Sequence, residues 1–314
     1  MKIAILGLGD AGWLLANGLK NAGANVLAFD STKPKFAPCA IADSLDAALG
    51  DADLVLAINP SMVSVRIAEQ AAQYLKPDAL YADLNPGTPN LKRKLADLIG
   101  TDRFVDGAIM TPVAKFGEGI RIAISGEEAA RLAELLSQFG IAFNVVSNRV
   151  GEASARYLLK ALMQKGLASV ITDTLWAAKE LGLDDWAIQE IKAEFESADE
   201  ATVQRYLNEA ASNPKRRSVE VGELSEFLTE AGYESSMLNG MGLTFSHIMH
   251  GRKIPFAELD SIQPLELQLL LQGIEHDVAR QDAGDGRVRL APFLNSGHKL
   301  AVLQFYSVHG YRNV

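Results

Sequence analysis

Short apolar runs alternate with amphipathic stretches through the first half of the chain. The runs at residues 3–6, 26–29, 53–58, 79–84, 104–109, 120–125 and 141–146 are the length of strands rather than core helices. Residues 13–22, 44–49, 61–74, 127–139 and a stretch after the Asn85-Pro86-Gly87-Thr88-Pro89 turn to about 99 carry the spacing of helices, with Ser61 as the expected cap of its element. Strand and helix in alternation predict a mostly parallel sheet with helices on both faces. Such sheets bind ligands beyond the carboxyl ends of their strands. Asp30, Asn59, Asn85 and the segment after Ile109 all fall at such ends.

The pattern changes at Gly151. Residues 152–181 contain no proline and are apolar on most sides of a helix, which at 1.5 Å per residue would run about 45 Å. A helix of that kind belongs in a core or a subunit interface. Further helical patterns follow at 186–195, 201–211, 221–231, 236–250 and 264–280. The expected organisation is an α/β doubly wound domain over 1–150 and an all-α domain over 151–314, with an unassigned arm from about 282 to 314.

The first predicted strand runs into Gly7-Leu8-Gly9-Asp10-Ala11-Gly12, and the second ends in Asp30, eighteen residues beyond Gly12. These are the parts of a Rossmann-type dinucleotide-binding unit. Gly7 permits the tight turn, Gly9 lets backbone approach a pyrophosphate, and Gly12 lets helix and strand pack closely. The next helix offers its amides and dipole to the phosphates. Asp30 can accept from ribose hydroxyls, with Ser31 beside it and Asn59-Pro60 at the neighbouring strand end. The carboxylate favours NAD over a 2′-phosphate, and Lys33 leaves NADP open.

Composition narrows the class. With 48% hydrophobic and 22% charged residues among 314, the chain reads as a soluble globular protein, and its net charge of −9 argues against nucleic acid as a partner. One cysteine, Cys39, excludes an internal disulfide and a cysteine metal cluster. Asp10 interrupts the amino-terminal apolar run and no stretch reaches membrane-spanning length, so the expectation is a cytoplasmic protein without a membrane partner. His247 and His250 have metal-compatible spacing but no carboxylate placed with them, and no metal is expected.

With these pieces in place the chain resembles the β-hydroxyacid dehydrogenase superfamily, especially its 6-phosphogluconate dehydrogenase-like NAD-binding branch. The resemblance runs from Met1 to about His250. It rests on the glycine motif, Tyr81-Ala82-Asp83-Leu84-Asn85-Pro86, Val105-Asp106-Gly107-Ala108-Ile109-Met110, Gly151-Glu152-Ala153-Ser154, Lys165-Gly166-Leu167, and Arg216-Arg217 with Glu220. It implies an NAD(P)-dependent oxidoreductase acting on a small, anionic hydroxy acid or carbonyl compound, and a homodimer. It also implies substrate contacts at Asn85, which stands where the superfamily has a hydroxyl pair, and at Thr111, with Lys115 in the same loop. The superfamily's proton-shuttling lysine falls on Tyr157, and Lys160, Gln164 and Lys165 lie near it on the same helix. Tyrosine, with a reference pKa of about 10 against lysine's roughly 10.4, can hold the same proton. The catalytic candidates are therefore Tyr157, Lys160 and Lys165, with Gln164 as a substrate contact. Imine reductases of similar fold commonly lack the lysine, so imine reduction is the alternative, and a dinucleotide sensor without chemistry is another.

Overall fold

A computed structural model describes residues 1–111 and 120–254. The expected helix at 264–280, the arm from about 282 and Lys115 lie outside those residues. By compactness the chain divides into a first unit, Met1–Lys165, and a second beginning at Gly166.

The first unit is built on one eight-stranded sheet. Its strands are β1 (Lys2–Leu6), β2 (Asn25–Phe29), β3 (Ala40–Ile41), β4 (Leu54–Ala57), β5 (Leu80–Asp83), β6 (Phe104–Ile109), β7 (Ile122–Ser125) and β8 (Phe143–Ser147). They lie in the order β3-β2-β1-β4-β5-β6-β7-β8. All neighbours are parallel except β6 and β7. The helices of this unit are α1 (Asp10–Asn21), α2 (Leu45–Leu49), α3 (Ser64–Ala71), α4 (Pro89–Ile99) and α5 (Ala129–Ser137). This is the doubly wound α/β class.

The central strands are largely apolar because both faces are covered, with Asp83 and Asp106 as buried exceptions, while β8 at the sheet edge is partly exposed. Alternate residues of β1 divide between two cores. Ile3 and Ile5 pack with Leu15 and Leu19 of α1 and Leu132 and Leu136 of α5. Ala4 and Leu6 pack with Leu49, Ala68, Leu95 and Ile99 on the other side. The two-residue period of a strand produces this division.

Among the boundaries that differ from expectation, two show how the chain starts a helix. Ser61 caps no helix; Ser61–Val63 forms a 3₁₀ turn and α3 begins at Ser64. The helix expected from 221 is α9 (Pro214–Glu230), seven residues longer at its start. Asn213 caps it by accepting from the Arg216 amide, and Pro214 fills its first turn, where a missing N–H costs nothing.

A single helix, α6 (Glu152–Glu180), runs out of the first unit into the second. The second unit continues with α7 (Asp184–Glu196), α8 (Glu200–Ser212), α9 and α10 (Ser236–Met249). Within it, Asp173 accepts from Tyr233 at 2.7 Å and from Ser235, tying the turn before α10 to α6. The bond to Asp173 pushes the Tyr233 hydroxyl up to about 12. Arg216 and Arg217 both pair with Glu220 at 2.8 Å on exposed or half-buried surface. No helix among the described residues is long and apolar enough to cross a membrane.

Candidate dinucleotide and substrate site

Gly7 leaves β1 with a φ of 101°, a conformation that side chains disfavour, and a Cβ there would lie 2.3 Å from the Ile58 carbonyl oxygen. A Cβ on Gly12 would lie 2.0 Å from the Gly7 carbonyl oxygen. Gly9 differs, since a Cβ built on it would meet nothing within 4 Å. Its bare backbone answers to no neighbour in the protein. Gly9 is also the amino-terminal boundary of α1, and no side chain caps that end. Open backbone next to uncapped helix amides suits a phosphate group. Buried Leu8 donates its amide to Asp30 Oδ2 at 2.7 Å, so the acid on β2 fastens the glycine turn. Asp30 Oδ1 accepts from the Thr32 amide and hydroxyl at 2.8 and 2.6 Å. Partial burial works against its ionisation, but the Thr32 and Leu8 bonds outweigh it and hold the carboxyl below its ordinary range. Asp10 and Ser31 are exposed beside this turn. Lys33 pairs with Asp43 at 3.1 Å.

A cavity of about 360 Å³ opens at the start of α1. Ala11, Ile58, Leu84, Pro86, Ala108, Ile109 and Met110 give it mostly apolar walls, and Asn59, Asn85, Thr111, Tyr157, Lys160 and Gln164 supply its polar groups. That size and lining suit a small ligand or one end of a larger one. Lys160 donates to the Met110 carbonyl, and Thr111 Oγ1 accepts from the Arg121 amide at 2.9 Å. Lys165 is exposed and is not among the lining residues; Pro60 is exposed beside Asn59.

Beneath the cavity lies a charged cluster that sequence reasoning missed. Asp83 and Asp106 are register partners on β5 and β6. Lys92 of α4, fully buried, donates to Asp83 Oδ1 at 2.5 Å, to the Asp83 carbonyl at 2.8 Å and to the Gly107 carbonyl at 3.2 Å. Asp106 lies 3.4 Å from the same ammonium. Asp106 accepts from the Gly151 and Ser154 amides at 3.0 and 3.1 Å and from the Ser125 and Ser154 hydroxyls at 2.9 and 2.6 Å. It thus caps α6, the helix bearing Tyr157, Lys160 and Gln164. Asp83 in turn holds the Asn85 side chain at 2.9 Å. The missed signal was local: Lys92 leads the stripe Lys92, Leu95, Ala96, Ile99 that α4 buries, at the spacing of one helix face.

Residues 178–248 match a family described as a domain of unknown function, DUF1932. An uncharacterised 28.5 kDa protein of Methanothermus fervidus is 25% identical over 205 residues, 63% of this chain and 76% of its own. An imine reductase from Myxococcus stipitatus, solved in complex with NADP+, superposes with a TM-score of 0.67 at 19% identity, covering 79% of this chain and 93% of its own. A conserved protein of unknown function, described as structurally similar to 3-hydroxyacid dehydrogenases, gives 0.51 at 23% identity, covering 80% and 98%. The fold is that of a Rossmann-like domain followed by helices, as in imine reductases.

Proposed function

We propose that this chain is a nicotinamide-dinucleotide-dependent oxidoreductase acting on a small carbonyl or hydroxy compound that carries a carboxylate or another anion. One observation carries the reading: Ala11, in the first turn of α1, lines the same cavity as Asn85, Tyr157 and Lys160. A group held by the glycine turn would therefore lie beside residues able to orient a substrate and move a proton. Gly7, Leu8, Gly9, Asp10, Ala11 and Gly12 would hold the pyrophosphate, Asp30 and Ser31 the adenosine ribose, and Asn59 and Pro60 the approach to the cavity. Nicotinamide, when bound, supplies or accepts the hydride. The apolar walls exclude water, and the Lys160 ammonium attracts the anion. Tyr157 or Lys160 delivers the proton, and Asn85, Thr111 and Gln164 position the reacting carbon. Asp30 repels a 2′-phosphate and favours NAD, although a neighbour in fold was solved with NADP+.

Reduction of a carbon–nitrogen double bond is the second reading. It is favoured by the higher TM-score of the imine reductase and by Tyr157 standing where the superfamily's lysine is expected. We assign dinucleotide binding to residues 1–150 and substrate binding with homodimerisation to 151–314, and place the protein in the cytoplasm. The dimer is supported by the large apolar side chains that α6 and the following helices leave exposed.

The test is nicotinamide absorbance with both cofactors across 3-hydroxy acids, aldehydes and cyclic imines. Tyr157→Phe and Lys160→Met should each lower turnover by about 10²-fold if that residue moves the proton, with cofactor affinity retained. Lys165→Met should change turnover by only a few-fold, since its ammonium lies outside the cavity. Turnover of imines alone would select the second reading. Silence across the panel with intact cofactor binding would point to a sensor.

A further inference from the structure

A lysine buried beneath a cavity invites a catalytic reading, and the hydrogen bonds of Lys92 rule that out. Its ammonium has three protons and meets three acceptors: Asp83 Oδ1 at 2.5 Å, the Asp83 carbonyl at 2.8 Å and the Gly107 carbonyl at 3.2 Å. The side chain is fully enclosed. With every proton spent inside the protein, it has none to give a substrate. Its stem is occupied as well. A Cβ on Gly87 would lie 3.4 Å from Lys92 Cε, so the loop that begins at Asn85 rests on this side chain.

What Lys92 does hold is two acids, and each acid holds one wall of the cavity. Asp83 accepts from the Asn85 amide at 3.3 Å and from Asn85 Nδ2 at 2.9 Å. Asn85 Nδ2 also donates to the buried Ser64 hydroxyl at 3.2 Å, which joins the start of α3 to the same network. Asp106, 3.4 Å from the ammonium, accepts from the Gly151 and Ser154 amides and from the Ser154 hydroxyl. Ser154, Tyr157, Lys160 and Gln164 follow one another at intervals of three, three and four residues, the spacing of one helix face. The bonds that fix Ser154 therefore fix the rotation of the face that turns Tyr157, Lys160 and Gln164 to the cavity. A cation shared by two buried carboxylates opposes any motion that parts them, because an acid left behind would be an uncompensated buried charge.

We infer that Lys92 is a positioning residue for the proposed reaction: by holding Asp83 and Asp106 together it sets the spacing between Asn85 and the Tyr157 face of α6. The inference rests on the oxidoreductase reading above only for the chemistry that this spacing serves.

The experiment labels the full chain with 3-fluorotyrosine and follows the fluorine resonances with no ligand added. Of the seven tyrosines, Tyr157 is assigned through Tyr157→Phe, and Tyr206 and Tyr233, both in the second unit, report on the fold elsewhere. The variant combines Lys92→Met with Asp83→Asn. It removes the cation together with its nearest acid, so the cluster keeps one net negative charge and gains no unpaired one. The Tyr157 line should move or split while those of Tyr206 and Tyr233 hold. Ser154→Ala, which takes a single hydroxyl from Asp106, is the milder variant should the pair fail to fold, and should move the same line by less. Turnover is the second readout, on whichever compound of the panel reacts. The double variant should lose about tenfold or more in kcat with cofactor affinity retained. Where Tyr157→Phe or Lys160→Met has already removed the proton donor, the same change should cost almost nothing more, whereas a purely structural loss would multiply. A Tyr157 line that stays put in every variant that folds, or rate losses that multiply, would overturn the positioning role. A panel without turnover would instead sink the proposed reaction, and the fluorine line would still decide whether Lys92 places Tyr157.

Discussion

The two units solve the burial problem differently. In the first, β4 and β5 are buried at every position, and large side chains such as Phe104, Leu15 and Leu80 are fully enclosed. Among the described residues of the second, the buried aliphatic side chains are small, Ala177, Ala178, Ala187 and Ala211. Trp176, Trp186, Phe195 and Val203 leave half or more of their surface exposed. A sheet covered on both faces makes its own core, whereas helices with apolar residues spread around them leave surface for something else to cover. The first unit is therefore expected to owe its stability to internal contacts, and under the dimer proposed above the helices that follow would owe part of theirs to a second copy.

The largest break in this contrast should come at Lys92. Replacing it with Met leaves Asp83 and Asp106 enclosed without their cation, and a broken buried ion pair costs about 3–5 kcal/mol. Urea denaturation of Lys92→Met should show a loss of that size. A loss below about 1 kcal/mol would mean that the cluster contributes no more than surface charge. Next in size is Trp176→Glu, which puts a charge on the exposed apolar surface of α6. It should raise the dissociation constant of the proposed dimer about tenfold or more in sedimentation, with secondary structure unchanged. A dimer as tight as before would remove that surface from the interface. The smallest effect should have the opposite sign. The Tyr81 hydroxyl is fully buried without a partner, and burial together with the charge of Asp83 raises its pKa well above the usual value. Its ring stacks on Phe104 at 6.2 Å between centroids. Tyr81→Phe keeps the ring and removes the orphan, and should gain about 1 kcal/mol by the same urea measurement.

What could be read in the sequence was whatever short spacing controls. The glycine turn, Asp30 and the apolar strands announce themselves within some thirty residues, and the sheet follows from their alternation. The helix over 152–180 was visible because nothing in that stretch interrupts it. The cluster beneath the cavity was hidden because its members are far apart in the chain: Asp106 and Ser154 are forty-eight residues apart, and only strand pairing brings Asp83 beside Asp106. The cap at Asn213-Pro214 was legible and was passed over, since the apolar pattern alone starts later.

The placement of Lys92 between two neighbouring strand ends bears on how such a protein can change over time. The loop bearing Asn85 and the helix bearing Tyr157 are both fastened from below, through Asp83 and Asp106. Pro86, Ile109 and Met110 line the cavity but take no side-chain part in that fastening. Lineages are thus free to reshape the walls for new molecules one substitution at a time while the mounting stays put, so diversity of substrates among proteins of this build should be written in the walls and constancy in the anchor.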